Sequence, residues 1–379
     1  MTPPVYLDYM STTPMATEVV EAMSGYMGIE GQFGNPASNT HVFGDQAALA
    51  VKRARQQVAN LVGATPREII WTSGATEANN LAIIGAARFH ARSGRHLITV
   101  KTEHKAVLDS FAYLEKNGFS VTYLEVDAQG LLDYEQLEAA ITPETILLSV
   151  MHVNNETGVI QDINRIGQIA RSRHVLFHVD AAQSAGKCPI DLANLPVDMM
   201  SFSAHKIYGP KGVGALYVQQ QPRIRIEPLI HGGGHEWGLR SGTLPTHQIV
   251  GMGRAFALAE SRFGEDDAHL KKLADVFCNG LSVLRGVRVL ANNSPRFTGC
   301  FNLYFEELEA ETLLAALPEF ACSTGSACNA AKAVPSHVLL AMGLSRLQAS
   351  HCVRFSFGRY TRVEEVDRLV TSLQRLTNR

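Results

Sequence analysis

The sequence predicts an α/β protein: a large domain built on a mainly parallel sheet covered by helices on both faces, plus a smaller α+β domain. Three observations lead there. At 379 residues the chain exceeds the length at which one hydrophobic core usually keeps growing, so two domains are expected. Between about 66 and 220, short runs that are nearly all apolar alternate with longer helical patterns, as strands buried on both faces require. Beyond about 255 that alternation stops, and long helical stretches with a few strands follow.

In chain order, the expected strands are 69-IIWT, 96-HLITV, 119-FSVTYL, 145-TILLSV, 175-VLFHV, 199-MMSFS and 214-GALYV. Helices are expected between several of them, over 76–92, 105–117, 134–141 and 162–173. A long helical stretch over 251–284 leads to strands at 287-VRVL and 299-GCFNLYF, then a helix at 309–317 and a loop around 328. A helix at 335–342, strand 352-CVRFSF and a last helix over 362–376 complete the pattern. The large domain is placed at 15–255; residues 1–14 join 256–379 in the small one. Ligands of such sheets sit at the carboxyl ends of the strands, so residues just after each strand are where chemistry is expected.

Composition narrows the function classes. Hydrophobic residues make up 46% and charged residues 18%, with a formal net charge of −2, so neither direct nucleic-acid binding nor an anionic membrane surface is expected. The opening MTPPVYLDYMSTTP has no basic n-region or apolar h-region, and runs such as 146-ILLSVMHV-153 are too short to span a bilayer. The expected location is the cytoplasm. Six scattered cysteines form neither a zinc-ligand spacing nor a small disulfide scaffold; most are expected to be small buried hydrophobes.

The strongest chemical signal is 199-MMSFSAHKIYGPKG-212. Lys206 directly follows a strand, where partial desolvation favours the neutral amine and suits a Schiff base to an aldehyde cofactor; the plainer alternative is a surface lysine. In 175-VLFHVDAAQSAG-186, Asp180 closes an apolar strand. A carboxylate there needs a cation, and the protonated pyridine nitrogen of pyridoxal phosphate (PLP) is one. A helix N-cap is the alternative. Gln183, one turn on, is placed to bond the cofactor's ring hydroxyl.

In 70-IWTSGATEANNLAI-83 a small-residue turn opens a helix whose N–H groups, with Thr76, would hold a phosphate; Ser203 and His205 could reach the same group. His104, in 101-KTEHKAVLDS-110, follows another strand and is placed to stack on a ring and shuttle protons near neutral pH. Cys328 lies in 321-ACSTGSACNAAKAVPSH-337, a run of small residues suited to an exposed loop at about 322–334. A thiol there suits a nucleophile; an incidental surface thiol is the alternative. Arg354, between Val353 and Phe355 in a strand, would be buried and wants a carboxylate, which an amino-acid substrate has.

Together these segments resemble the cysteine desulfurases, the NifS/IscS-like branch of class V aminotransferases. The resemblance runs nearly end to end, through 6-YLDYMSTTP, 34-GNPASNTHVFG, TSGATEANNLAI, KTEHKAVLD, MHVNNETGV, HVDAAQSAGK, SFSAHKIYGPKG, HGGGHEWGLRSGTLP, TGSAC and VRFSFGR. It implies the PLP-dependent transferase fold of aspartate aminotransferase (fold type I) and sulfur removal from L-cysteine. Lys206 would carry the cofactor and Cys328 would take the sulfur as a persulfide. His104 would stack on the ring, Asp180 pair with its nitrogen and Gln183 bind its oxygen. Ala75, Thr76, Ser203 and His205 would hold the phosphate, joined by Thr243 from the other subunit of a homodimer. Asn155 and Arg354 would bind the substrate carboxylate or the cofactor, with Asn35 assisting.

The stretch from Cys328 to Pro335 resembles the long-loop group (group I), which serves iron–sulfur assembly and tRNA thiolation. A sulfur-acceptor protein of such a pathway, or of DNA sulfur modification, is the implied partner. No catalytic metal is expected, and transient iron–sulfur ligation by Cys328 stays open. Asn329 and Ala330 stand where relatives often carry hydroxyl residues, and Cys322 where an aliphatic residue is common. The sequence ends at Arg379, soon after the last expected helix, whereas relatives often carry a further tail that docks a scaffold protein; which acceptor the enzyme serves is left open at this point. The alternatives are a selenocysteine lyase, an aminotransferase, or a catalytically silent sulfur-relay scaffold on the same fold.

Overall fold

The computed structural model describes residues 3–324 and 335–377. The N-terminal arm opens with strand β1 (Val5–Tyr6). The central sheet contains β2 (Ile69–Thr72), β3 (His96–Val100), β4 (Ser120–Leu124), β5 (Thr145–Ser149), β6 (Leu176–Asp180), β7 (Met199–Ser203) and β8 (Gly214–Val218). Their spatial order is β2-β8-β7-β6-β5-β3-β4. All pairings are parallel except those of β8, which runs antiparallel to both β2 and β7. Every residue of β2, β3, β5, β7 and β8 is buried, which is why these strands read as apolar runs rather than alternating ones.

Helices α1 (Thr17–Ser24), α2 (Val42–Val62), α3 (Ala75–His90), α4 (Lys105–Lys116), α5 (Tyr134–Ala140) and α6 (Ile163–Ser172) cover this sheet, followed by the 36-residue α7 (Thr246–Leu281). Local chemistry sets several starts. Asp133 accepts from Glu135 N–H before α5, and Asp162 accepts from Arg165 N–H before α6, each satisfying a helix-end donor. Two of these helices depart from the sequence expectation. The sequence expectation contains neither α1 nor α2; the buried face of α2 is made of alanine, glycine and valine and carries Arg55. Helix α7 begins five residues before the expected 251 and ends at 281 rather than 284. It crosses α2 at close range: a Cβ on Gly253 would sit 2.6 Å from Ala54 Cα.

The packing changes along α7. Its first half, through Ile249, Met252 and Phe256, belongs to the core of the large sheet. Its second half, through Leu273, Phe277 and Leu281, belongs to a separate core. That core holds β9 (Val287–Val289), β10 (Cys300–Phe305), α8 (Ala310–Ala316), β11 (Phe320–Ala321), β12 (Cys352–Ser356) and α11 (Val363–Thr377), while α9 (His337–Ala341) and α10 (Arg346–Ser350) pack in a smaller cluster with Val159 and Leu290. Strands β12, β10 and β9 form an antiparallel sheet in that order. Phe277 packs edge-on to Phe301 and Phe357; burying one such ring stabilises by about 1.5–3 kcal/mol. The arm joins this second core: β1 pairs with β11, and Leu7 and Met10 are buried in it. The expected helix over 335–342 is shorter, and α10 follows it unanticipated. Among the described residues no helix is long and apolar enough to cross a membrane.

Candidate active site

A cavity of about 480 Å³ opens at the carboxyl ends of β2, β3, β5, β6 and β7, closed by the arm and by β12. It is lined by ten of the residues expected from sequence: Ala75, Thr76, His104, Asn155, Asp180, Gln183, Ser203, His205, Lys206 and Arg354. Asn35 and Thr243 are exposed and do not line it. Asn35 instead accepts the Ala37 N–H within its own turn. Cys328 and its loop from 325 to 334 lie outside the described residues.

Lys206 ends a short 3-10 turn that follows β7 directly. Its Nζ donates to the carbonyls of Met10 and Ser11, both at 2.7 Å. Burial, aided by the positive charges of Lys187 and Arg354, pushes its pKa down from 10.5 to about 7. A large fraction of this amine is therefore neutral near pH 7. Its neighbour His205 bonds Thr12 Oγ1 through Nδ1 at 3.0 Å, and burial pushes its pKa down to about 4.

Asp180 is the last residue of β6 and is 3% exposed. Its Oδ1 accepts the Ala182 N–H at 2.9 Å, and its Oδ2 accepts the Asn79 side-chain N–H at 2.7 Å. No helix follows Asp180, so the N-cap alternative does not hold: its Oδ1 closes a turn at Ala182 rather than capping a helix. Gln183, one turn on, donates to the Met10 carbonyl at 2.8 Å and accepts from Lys187 Nζ at 3.1 Å.

The α3 N-terminus faces the same cavity through Ser73, Gly74, Ala75 and Thr76. Gly74 is the N-cap, with φ 156° and ψ 177°, a region open essentially to glycine alone. It is crossed closely by Gly214 of β8, where a Cβ would lie 2.6 Å from Gly74 Cα. Glu77 in the first turn is tied to Arg240 at 2.8 Å, which joins this turn to the loop carrying Thr243.

His104 caps α4: its Nδ1 accepts the Ala106 N–H at 3.1 Å. With Nδ1 occupied as an acceptor, the neutral ring carries its proton on Nε2. Burial holds its pKa below the usual 6.5, opposed by Asp180 and assisted by Lys206. Arg354 is 2% exposed. Its guanidinium bonds Asp8 Oδ1 at 2.7 Å, Ser11 Oγ at 2.6 Å and the Asn155 carbonyl at 2.7 Å. The carboxylate that the buried arginine needs within the chain is thus supplied by Asp8.

Sequence reasoning missed several members of the site. Asn79, Met10, Ser11, Glu156 and His337 line the cavity. Glu103 is fully buried beside it, its Oε1 accepting the Met151 N–H at 2.6 Å, and burial pushes its carboxyl well above the usual range. Asn79 stood inside the quoted TEANN motif, one turn past Thr76; its position was the available signal. Met10 acts through its carbonyl, for which side-chain type carries no signal.

Among the described residues, four buried polar atoms in and beside the cavity lack a hydrogen-bond partner: Asn79 Oδ1, Glu103 Oε2, Asn155 Oδ1 and Arg354 Nε. Buried polar groups are rarely left unpaired in a folded protein, so their concentration here marks a ligand site. The open helix N-terminus suits a phosphate, Asp180 a ring cation, and the depressed Lys206 an aldehyde. The residues present fit PLP.

The chain matches the family described as "Aminotransferase class-V" over residues 5–369. It is 54% identical to the "Cysteine desulfurase IscS" of Tolumonas auensis over 364 residues, 96% of this chain and 90% of that one. A solved "NIFS-LIKE PROTEIN" superposes with a TM-score of 0.91 at 36% identity, covering 99% of both chains. The structure titled "SspA in complex with cysteine" follows at 0.84 and 40%, covering 94% of this chain and all of that one (100%). Enzymes of this family use PLP. With identity this high over nearly the whole length, the chain belongs to the cysteine desulfurases of the class-V aminotransferase family.

Proposed function

We propose that this enzyme removes the sulfur of L-cysteine with PLP bound in the cavity, releasing L-alanine and leaving a persulfide on Cys328. The atoms balance: one cysteine and one enzyme thiol give one alanine and one enzyme S–SH. The observation that carries the reading is Lys206, an amine held near neutrality at a strand end opposite the Asp180 carboxylate.

When bound, PLP supplies an electron sink for the charge left at the substrate Cα after its proton is removed. The neutral Lys206 amine takes that proton. Asp180, fixed on both oxygens by Ala182 and Asn79, holds its negative charge against the ring nitrogen. The α3 N-terminus, with Thr76, Ser203 and His205, receives the phosphate. Arg354, through its free Nε–H, and Asn155 orient the substrate carboxylate.

His104 presents its Nε2–H, so it would donate a hydrogen bond to the substrate sulfur and orient it for attack. Cys328 then attacks that sulfur. Its thiolate would bond to the substrate sulfur as the C–S bond breaks; the bonding pair stays on the substrate carbon, which takes the proton given up by the Cys328 thiol, and the proton held by Lys206 returns to Cα to complete alanine.

Thr243, exposed on its own chain, supports a homodimer in which it completes the partner's phosphate site, as do exposed apolar residues including Phe33, Phe43 and Trp237. A sulfur-acceptor protein discharges the persulfide. The test is product analysis: L-cysteine with a thiol reductant should give alanine and sulfide in equal amounts. Transfer of the amino group to a keto acid, without sulfide, would favour an aminotransferase instead.

A further inference from the structure

Lys187 stands four residues past Gln183 in the turns that follow β6 and does not line the cavity. No carboxylate forms a salt bridge with it among the described residues. It faces a small hollow that also holds Phe297, Asp266 and Asp267. Both carboxylates are taken, Asp266 by Arg359 and Asp267 by Lys271. The ammonium instead lies 5.4 Å from the Phe297 ring centroid and donates to Gln183 Oε1 at 3.1 Å. A cation held without an ion-pair partner costs stability, so its placement calls for another reason.

Gln183 supplies one. Its two amide ends are matched to opposite partners: Oε1 to the Lys187 ammonium, and Nε2 to the Met10 carbonyl at 2.8 Å. Turning the amide over would set NH2 against an ammonium and oxygen against a carbonyl, two repulsive contacts. The orientation is therefore locked from both sides. Met10 takes one N–H, which leaves the second for an acceptor in the cavity. The same Met10 carbonyl accepts from Lys206 at 2.7 Å. A single chain of contacts thus runs from Lys187 through Gln183 and Met10 to Lys206.

We propose that Lys187 is a positioning residue of the cofactor site: it locks the Gln183 amide with its NH2 toward the cavity and sets a second positive charge near Lys206. The inference rests on the PLP reading above. The cofactor group facing Gln183 must then be an acceptor, as the ring oxygen of PLP is. Burial pushes Lys187 itself down to about 8, so it is mostly charged at pH 7 and disfavours a proton on Lys206.

The test uses the full-length wild type with Lys187→Met, Lys187→Gln and Lys187→Arg. Each is stripped of PLP and titrated with it while the visible absorption is followed. In the stripped proteins, acylation of Lys206 is read by mass spectrometry against pH. Lys187→Met should bind PLP about tenfold more weakly, equivalent to about 1.4 kcal/mol. It should also raise the pH midpoint of Lys206 acylation. Lys187→Gln keeps an N–H donor without charge, so it should recover affinity but not the midpoint, and Lys187→Arg should recover both. The glutamine variant carries the comparison if the methionine variant fails to fold. Wild-type affinity and midpoint in both neutral variants would overturn the inference. Absence of PLP binding by the wild type would overturn the cofactor reading itself, and the Lys187 inference with it.

Discussion

Lys206 donates to the main-chain carbonyl of Met10 at 2.7 Å, across 196 residues of sequence. This contact ties the reactive amine at the end of β7 to an arm whose β1 strand pairs with β11 and whose Leu7 is buried in the second core. The arm, whose Leu7 and Met10 are buried in the second core, therefore reaches the amine at the end of the large sheet.

Asp180→Asn should keep the fold and bind PLP, because Asn79 and the Ala182 N–H remain as neighbours. It loses the charge that faces the ring nitrogen, and turnover should fall by ~10²-fold or more. Steady-state alanine formation by the PLP-loaded variant measures this; a loss of less than about threefold would remove Asp180 from the reaction.

His104→Gln separates two roles. Glutamine can donate an N–H toward the cavity but has no ring to stack and no proton to exchange near pH 7. We expect slower alanine release and a flattened acid limb in the pH profile. Near-normal rate with an unchanged profile would show that the imidazole does no chemistry.

Acid should destabilise the protein through its buried histidines. His178 bridges Ser149 and Ser201 at 2.8 and 2.9 Å, and burial pushes its pKa from 6.5 down to about 3. Between those values the unfolded chain binds a proton that the native chain does not. The stability His178 contributes is therefore intact above pH 6.5 and is lost progressively as pH falls toward 3. Urea unfolding at a series of pH values should show this slope, and His178→Gln should reduce it.

Arg55→Met should be strongly destabilising. Arg55 forks onto Glu236 at 2.6 and 2.7 Å in a buried pair that also receives the Trp71 N–H. Removing the cation strands Glu236, at a cost of about 3–5 kcal/mol. Chemical denaturation reads the change directly, and the loop from Glu236 to Thr243 should become more accessible to protease.

Much of this was legible in the sequence because the information is local. The buried strands announce themselves as apolar runs, and the carboxyl ends of those strands carry Asp180, His104 and Lys206 within a residue or a few. What was not legible is long-range or main-chain in origin. Helix α2 hid because its buried positions are small (alanine, glycine and valine), and because Arg55 on that face is answered by Glu236, 181 residues away. The role of Met10 belongs to its carbonyl, so no side-chain pattern signals it. Asp8 pairs with Arg354 across 346 residues, a contact created where the arm runs beside β12 and Asp8 bridges to Ser356. Asn35 and Thr243 were tied to the site by resemblance alone, and neither reaches the cavity of its own chain.

The most direct test compares alanine and sulfide release from L-cysteine, with a thiol reductant, by wild type and Cys328→Ser, both loaded with PLP. The account predicts an active wild type and a serine variant that retains the visible absorption of bound PLP yet releases no sulfide. Normal sulfide release by the serine variant would contradict the assignment of Cys328 as the sulfur acceptor.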